Sequence, residues 1–166
     1  MINELLISLT LSLSPADAEC LAKNVYFEAR NQSDTGGIAV THVVLNRVQN
    51  PNFPNSICKV IKQAKLSQWW LENKGKEVPI RHKCQFSWYC DGLSDDPKEK
   101  NAWKHAQYLA RQAYLLHVNG FDLTAGSMFY HTKNVNPSWN RAMTKVMVVD
   151  DHIFWRDDNI KSLVSR

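Results

Sequence analysis

The sequence contains no run of apolar residues long enough to cross a bilayer, which would take about 20 residues. It also contains no internal repeat, low-complexity tract or linker-like segment. With 44% hydrophobic and 22% charged residues, the composition excludes a disordered, collagen-like or membrane-spanning protein. A length of 166 residues suits one hydrophobic core, so the sequence predicts a single domain.

Blocks of like charge are absent as well. The 20 Lys and Arg residues are scattered, so a basic nucleic-acid-binding arm is not expected, and the net charge of +4 favours an acidic partner such as an anionic polymer. Aromatic residues are plentiful, with six Trp, five Tyr and six Phe. This surplus fits a large core and also fits a groove that stacks on sugar rings or bases, and composition leaves both open.

Cysteine is scarce, since only Cys20, Cys58, Cys84 and Cys90 occur. Four cysteines allow two disulfides or four thiols, but they are too few to replace a hydrophobic core. Their spacing is not that of a zinc site, because no Cys-x2-Cys or His-x3-His pair accompanies them. We therefore expect no metal and no other cofactor.

The first 18 residues allow two interpretations. Residues 5–13 resemble the apolar part of a signal peptide, and the Ala-Asp-Ala at 16–18 fits the cleavage rule. Residues 1–4, however, carry no Lys or Arg, and cleavage would remove the helix cap at Ser14. These features favour an N-terminal segment over residues 1–18 that is not cleaved.

The first two helices are predicted from capping residues and apolar spacing. Ser14 and Pro15 begin a helix that continues to Arg30. Residues 38–48 are apolar nearly all round, which fits a buried helix or a buried strand, and their length favours the helix. Gly36-Gly37 is expected to break the chain between these two segments.

The rest of the chain predicts two more helices and then strands. A short helix is expected over 56–63, an irregular stretch over 65–95, and a long helix that opens at Asp96–Glu99 and ends at Asn119-Gly120. Beyond it the apolar period shifts to two, which predicts three strands, at 128–131, 145–149 and 152–155, with a turn at Asp150-Asp151. Helices followed by a small antiparallel sheet predict an α+β domain.

Glu28 is the first candidate for chemistry. It projects about 80° from the centre of the apolar face of the first helix, which makes it half-buried beside Leu21. Partial burial and the negative end of the helix dipole both raise the pKa of a carboxyl group, as a general acid working near neutral pH requires. Taken alone, its position favours a surface glutamate without a catalytic role over a catalyst.

A series of blocks, in order along the chain, resembles the SleB/CwlJ-type cell wall hydrolase family. The blocks are ECLAKNVYFEAR at 19–30, GIAVTHVVLNRV at 37–48, FPNSICKV at 53–60, QFSW at 85–88, YH at 130–131 with VNPSW at 135–139, and HIF at 152–154. The resemblance implies a lysozyme-like single domain that cleaves peptidoglycan glycan strands, mostly as a lytic transglycosylase. It also implies that the Glu of the Glu-Ala-Arg block, Glu28, is the catalytic acid.

The chain departs from the family pattern in two places. Asn31-Gln32 stand where the family usually has Gly-Glu, and an insertion of about twenty residues, Lys65 to Lys83, precedes Gln85. The insertion carries Trp69-Trp70 and several lysines, which suits a flap that contacts the anionic glycan and its peptide stems. The alternative, which we favour, is that the two Trp fill the core beneath a solvated lysine-rich loop, because large apolar residues usually pack.

The number of carboxylates separates two mechanisms. A transglycosylase needs one carboxyl group, whereas a hydrolase needs a second carboxylate at a defined distance. Asp34 and Asp91 are the candidates for a second carboxylate, and both occupy turn-like contexts that suggest structural roles. The sequence favours the one-carboxylate mechanism, with a muramidase-type hydrolase and a non-catalytic glycan-binding module as alternatives.

Polar and aromatic residues of the same blocks are expected to bind substrate. They offer amide, hydroxyl, phenol, imidazole and indole groups that suit N-acetyl and hydroxyl recognition, at Gln85, Ser87, Tyr130, His131 and Trp139. Core packing is the alternative for each of them, above all for Trp139. Structural or solvated roles are expected for the remaining candidates, namely Arg30, His42, His82, His105 and His117.

The resemblance also bears on the cysteines and on the setting. Family members often carry cysteines at the places of Cys58 and Cys90, which implies that these two pair if the protein works outside the cytosol. We expect the catalytic domain over residues 19–156, followed by a tail over 157–166. The expected protein is a monomeric phage endolysin or small bacterial wall-lytic enzyme, with no spore-germination role, that acts on peptidoglycan in the periplasm or outside the cell. It binds no nucleic acid and is not inserted in a membrane, and export by a signal and release by a phage holin are both open.

Overall fold

The computed structural model describes residues 13–159, which form five α-helices, five strands and two 3₁₀ helices. The predicted N-terminal segment lies outside the described residues up to position 12, and the predicted tail does so from position 160. Within residues 13–159, no helix is long and apolar enough to span a membrane. In the same range, no group of three or more His, Cys, Asp or Glu side chains is placed to hold a metal ion.

The first two helices form where capping residues predict them. Helix α1 spans Pro15–Ala29, and the Ser14 hydroxyl accepts a hydrogen bond from the Asp17 N–H at 3.1 Å. Helix α2 spans Asp34–Gln49, so the helical alternative for this segment is confirmed. The expected break at Gly36 is wrong, because Gly36 lies in the first turn of α2.

Gly36 lets the start of α2 pack closely against Asp150 and Gln32. A Cβ atom there would lie 2.8 Å from the Asp150 Oδ2 atom and 2.9 Å from the Gln32 Cβ atom. The same Asp150 carboxylate accepts hydrogen bonds from the Ser33 N–H at 2.8 Å and the Ser33 hydroxyl at 2.6 Å. The turn at Asp150-Asp151 is thereby held against the start of α2.

Residues 65–95 are more regular than their sequence suggests. After the short helix α3, Ile57–Ile61, strand β1 spans Ala64–Leu66, helix α4 Gln68–Lys74, strand β2 Pro79–Cys84 and a 3₁₀ helix Ser87–Cys90. Strand β1 pairs antiparallel with β2, with Ala64 opposite Cys84. Strands this short, with several Lys side chains, leave too few residues for an alternating pattern to be recognised.

The longest helix crosses the first two. Helix α5 spans Lys100–Val118 and packs against α1 and α2. It begins after the predicted capping residues, and the side chain of Glu99 forms an ion pair with Arg30 instead of capping the helix. This pair gives Arg30 a structural role, as the sequence predicts.

A three-stranded antiparallel sheet completes the fold. Strands β3 (Phe129–Thr132), β4 (Thr144–Val149) and β5 (His152–Arg156) have the order β3-β5-β4, and a second 3₁₀ helix spans Ser138–Ala142. The predicted turn joins β4 to β5, and Asp150 adopts φ of 51° in place of the usual Gly. The α+β order of helices before this sheet is as predicted.

Two groups of buried side chains hold these elements together. One joins the helices and includes Leu21, Val25, Val44 and Leu109. The other docks α2 on the sheet, through Val40, Val43, Val149 and Phe154. Tyr130 contacts both groups, and it therefore sits where the helices meet the sheet.

The cysteines pair differently from the prediction. Cys20 of α1 is bonded to Cys58 of α3, with their Cα atoms 5.5 Å apart, and Cys84 is bonded to Cys90. The expected Cys58–Cys90 disulfide is therefore wrong. Packing of α3 on α1 brings Cys58 to Cys20, and the turn from β2 into the 3₁₀ helix brings Cys84 to Cys90.

Candidate active site

Glu28 lies in the last turn of α1 and faces strand β3. Its carboxylate oxygen Oε2 accepts a hydrogen bond from the Tyr130 hydroxyl at 2.9 Å. Glu28 is partly buried, as its angle from the apolar face predicts. Two residues that the sequence separates by 102 positions are thus brought into direct contact.

The environment of Glu28 favours a proton on its carboxyl group. Burial raises the pKa of Glu28 above its ordinary value, while the hydrogen bond from Tyr130 and the positive charge of Arg47 lower it by smaller amounts. The end of α1 adds the negative pole of the helix dipole. A carboxylic acid in this position can keep its proton closer to neutral pH than an exposed glutamate, as a general acid must.

Tyr130 is held as a hydrogen-bond donor. Its ring packs against His152, with centroids 5.0 Å apart, and against Phe154, with centroids 5.4 Å apart. Burial, together with the neighbouring Glu28 carboxylate, raises the pKa of Tyr130 well above its ordinary value. The phenol therefore stays protonated and oriented toward Glu28.

Arg47 is a site residue that the sequence analysis missed. Its side chain on α2 is buried, and its Nε–H donates to the Met128 carbonyl at 2.7 Å. The guanidinium lies over the rings of Phe53, Phe86 and Phe129 at 5.3, 5.6 and 5.6 Å. The available signal was a lone arginine in an otherwise apolar helix.

The charge of Arg47 acts on both Glu28 and Tyr130. Burial lowers the pKa of Arg47 to about 10, whereas Tyr130 and Glu28 raise it, so the side chain is still cationic at neutral pH. A cation here stabilises the ionised form of Glu28. Arg47 therefore offsets part of the rise in the pKa of Glu28 that burial causes.

Gln85 and Ser87 lie on the surface beside this cluster. Both side chains are exposed, and they flank Phe86, whose buried ring contacts Arg47. The next residue, Trp88, is buried and donates its indole N–H to the Asn24 side chain at 2.9 Å. Gln85 and Ser87 are thus surface residues on either side of the Phe86 ring that packs against Arg47.

His131 and Trp139 are not brought to Glu28. Because neighbouring side chains of a strand alternate, His131 points away from the face that carries Tyr130. It packs against Trp139 and Trp155, with ring centroids 5.6 and 5.8 Å away. Trp139 also contacts Phe129, with ring centroids 5.6 Å apart, and Phe129 is one of the rings over which Arg47 lies.

The two candidate second carboxylates have other partners. Asp34 contacts His105 at 2.7 Å on the exposed side of α5, and the Asp91 side chain accepts from the Leu93 N–H at 2.8 Å. Among residues 13–159, the groups that shift the pKa of Glu28 are Tyr130 and Arg47, and no carboxylate is among them. Asp34 and Asp91 are therefore engaged by partners other than Glu28.

Known proteins with related sequences are wall-lytic enzymes. Residues 31–155 match the family described as Cell Wall Hydrolase, a range that begins three positions after Glu28. The spore cortex-lytic enzymes of Bacillus subtilis (strain 168) and Bacillus cereus are 29% and 27% identical over 140 and 143 residues, or 83% and 85% of this chain. The chain spans 37% and 44% of the length of these two relatives.

Solved structures agree with the sequence match. The catalytic domain of the germination-specific lytic transglycosylase SleB from Bacillus anthracis is similar, with a TM-score of 0.60 and 24% identity over 87% of this chain and 98% of that chain. The catalytic domain of the Bacillus cereus SleB protein has a TM-score of 0.56 and 23% identity, over 87% of this chain and 93% of that chain. These likenesses confirm the lysozyme-like fold. With three quarters of its length matched, the chain belongs to the Cell Wall Hydrolase family.

Proposed function

We propose that this protein cleaves the glycan strands of peptidoglycan as a lytic transglycosylase, with Glu28 as its acid and then its base. The observation that carries the proposal is the Glu28 carboxyl, buried enough to have a raised pKa and held by the Tyr130 hydroxyl. The name of the similar Bacillus anthracis domain, a lytic transglycosylase, supports the same reaction.

The reaction needs only groups that the site contains. The protonated Glu28 carboxyl gives its proton to the glycosidic oxygen, and the bond from that oxygen to the muramyl C1 atom breaks. The resulting carboxylate then takes the proton of the muramyl C6 hydroxyl, whose oxygen forms a bond to C1. The products are a 1,6-anhydromuramyl end and a free hydroxyl, and no water is consumed.

The single carboxyl group distinguishes this reaction from hydrolysis. A retaining glycosidase places its second carboxyl about 5 Å from the first, and an inverting enzyme places it about 6.5–9.5 Å away. Asp34 and Asp91, the candidates for such a group, are held by His105 and by the Leu93 backbone. The positive charge near Glu28 instead comes from Arg47, which favours the carboxylate that acts as base.

The proposed site of action is the cell wall, outside the cytosol, in a phage endolysin or a small bacterial wall-lytic enzyme. Two disulfides support this setting, because such bonds persist in oxidising compartments. We further propose that exposed Gln85 and Ser87 contact the strand near the scissile bond, and that His131 and Trp139 contact sugars farther along.

Digestion of purified peptidoglycan tests the reaction. Mass spectra of the products are expected to contain anhydromuramyl ends. Reducing muramyl ends would show a water-dependent muramidase on the same fold, and intact strands would show a glycan-binding module. Either of the last two results overturns the proposal.

Glu28→Gln tests the proposed role of Glu28 as the acid. The amide cannot donate a proton but still accepts the hydrogen bond from Tyr130, so lysis is expected to fall at least about 100-fold while glycan binding and folding persist. Glu19→Gln, at an exposed position of the same helix, is the matched control and is expected to lyse normally. Turbidity clearance by Glu28→Gln within tenfold of the wild type would remove Glu28 from the mechanism.

A further inference from the structure

Residues 62–83 form an arm that projects from the domain. The arm consists of the β1–β2 hairpin with helix α4 at its turn, and its base is fastened by the Cys84–Cys90 disulfide and by the Gln85 N–H, which donates to the Gln63 carbonyl at 2.8 Å. The Arg81 Nε–H adds a bond to the Asp91 carbonyl at 3.0 Å. The arm is therefore an ordered element.

Helix α4 exposes large apolar side chains. None of its residues is buried, and the exposed fractions are 56% for Trp69, 39% for Trp70 and 43% for Leu71. Leu66 on β1 is 36% exposed. The expectation that the two Trp fill the core is wrong, because no other described helix or strand packs extensively against α4. Exposed apolar groups clustered in this way mark a surface that binds something.

The arm also concentrates the charge of the protein. It carries six basic and two acidic side chains, a formal net charge of +4, which equals that of the whole chain. None of its five lysines lies within ion-pair distance of a carboxylate of the described chain. These lysines are Lys62, Lys65, Lys74, Lys76 and Lys83. The charge is therefore available to an anionic partner.

The base of the arm adjoins the candidate active site. Strand β2 ends at Cys84, and Gln85 and Phe86 follow directly. The ring of Phe86 contacts Arg47, whose charge acts on Glu28. A strand bound at Glu28 therefore passes close to the point where the arm leaves the domain.

We propose that this arm is a second binding surface for peptidoglycan, in which Trp69 and Trp70 stack on sugar rings and the lysines bind carboxylates of the peptide stems. The proposal rests on the proposed function, because it assigns the arm to the same substrate. The two indole rings are 5.2 Å apart and nearly perpendicular, at 87°, so they present separate faces to neighbouring rings of a polymer.

The shape of α4 favours a polymer over a membrane surface. Consecutive residues of a helix point about 100° apart, so Trp69, Trp70 and Leu71 together cover about 200° of its circumference. A helix that lies in a membrane interface instead has its apolar residues on one face and its cations on the other. Separated rings with lysines on the adjoining strands suit a chain that alternates sugars and charged stems.

Binding to purified sacculi tests the arm, in a Glu28→Gln background so that nothing is cleaved. One variant carries Trp69→Ser and Trp70→Ser, and its matched control carries Tyr108→Ser and Phe121→Ser, which remove exposed rings elsewhere. A second variant changes four arm lysines to Gln, and its control changes Lys98, Lys100, Lys104 and Lys145, which are also exposed. Far-ultraviolet circular dichroism verifies that each variant is folded.

The arm variants are expected to bind sacculi at least about tenfold more weakly than their controls. For the lysine variant the difference should shrink as salt rises from 0.05 to 0.3 M, because exposed charges are screened beyond about 8 Å at physiological ionic strength; for the tryptophan variant it should persist. Affinities equal to those of the controls would overturn the proposal. So would binding to vesicles of phosphatidylglycerol and phosphatidylcholine that depends on the arm while sacculus binding does not.

The products of the wild-type protein separate this proposal from the proposed function. Anhydromuramyl products together with arm-independent sacculus binding would leave the reaction standing and reject the arm. Arm-dependent sacculus binding without any cleavage products would reject the reaction and leave the arm as a glycan-binding surface.

Discussion

The pKa of the Glu28 carboxyl is shifted in opposite directions by burial and by two neighbouring side chains. Burial raises its pKa, and the Tyr130 hydrogen bond and the Arg47 charge lower it. The first effect keeps the proton available for donation, and the other two stabilise the carboxylate that forms after donation. Both roles proposed for Glu28, as acid and then as base, depend on this balance.

Tyr130→Phe removes one of the two interactions that lower the pKa of Glu28. The ring still packs against His152 and Phe154, but the carboxylate loses a charge-assisted hydrogen bond worth about 1.5–3 kcal/mol. The pKa of Glu28 should rise further, so the alkaline limb of the kcat/KM profile should move to higher pH, and kcat should fall about 10- to 100-fold. An alkaline limb that stays where it is in the wild type and in Tyr108→Phe, the exposed control, would contradict the assignment.

At the scale of elements, each disulfide holds a different part of the molecule. The Cys20–Cys58 bond joins α1, which carries Glu28, to α3 across 38 residues. The Cys84–Cys90 bond closes a segment of six residues at the base of the arm. Chain entropy predicts that the first contributes more to stability, since its loop is longer.

Replacing Cys20 and Cys58 with Ser is expected to lower the free energy of unfolding by about 4 kcal/mol. The corresponding change at Cys84 and Cys90 should cost about 2 kcal/mol and should weaken binding to sacculi, because it loosens the arm. Urea denaturation of the two double variants measures both values. A larger loss for the Cys84 and Cys90 variant would contradict the entropic account.

At the scale of the whole molecule, the site depends on how the sheet docks on the helices, since Glu28 lies on a helix and Tyr130 on a strand. The turn between β4 and β5 fastens the two parts. The Asp150 carboxylate accepts two hydrogen bonds from Ser33, and the side chain of Gln32 both donates to and accepts from Asp151. Gln32, where the sequence departs from the family, thus has a structural contact.

Asp150→Asn tests this connection and its pH dependence. Hydrogen bonds from the Ser33 hydroxyl and N–H lower the pKa of Asp150 below its ordinary value of 3.8. The stabilisation is therefore complete above pH 4 or so and is lost as pH falls through the lower folded value. At pH 7 the Tm of the variant should be lower than that of the wild type by no more than about 2–4 °C, because the carboxylate is exposed and its charge is screened by solvent.

The difference in Tm between Asp150→Asn and the wild type should shrink as pH falls from 5 toward 2, because the Asp150 carboxylate takes up a proton as pH falls through its lowered pKa. Calorimetric scans across this range measure it, and Asp96→Asn, at another exposed carboxylate, is the control. A difference that is the same at pH 2 and pH 7 would show that Asp150 acts through the shape of the turn and not through its charge. Lysis should fall with the loosened sheet, since Tyr130 moves with β3.

Local signals in the sequence predicted much of the fold. Helices α1 and α2 follow from Ser14, Pro15 and an apolar period that any single segment displays by itself. The three strands of the sheet follow from alternation within each segment, and the turn from two adjacent aspartates. The half-buried position of Glu28 follows from its angle on one helix.

The sequence by itself therefore determined helices α1, α2, α3 and α5, the three-stranded sheet, the family and Glu28 as the candidate acid. Only the tertiary structure decided that the Tyr130 hydroxyl bonds to Glu28 within reach of the Arg47 charge, that Cys20 bonds to Cys58, and that Trp69 and Trp70 face solvent. The physical reason is the range of the interactions. Periods and caps act within one turn or strand, whereas these pairings join residues far apart in the chain, and their free energy exists only once the elements have packed.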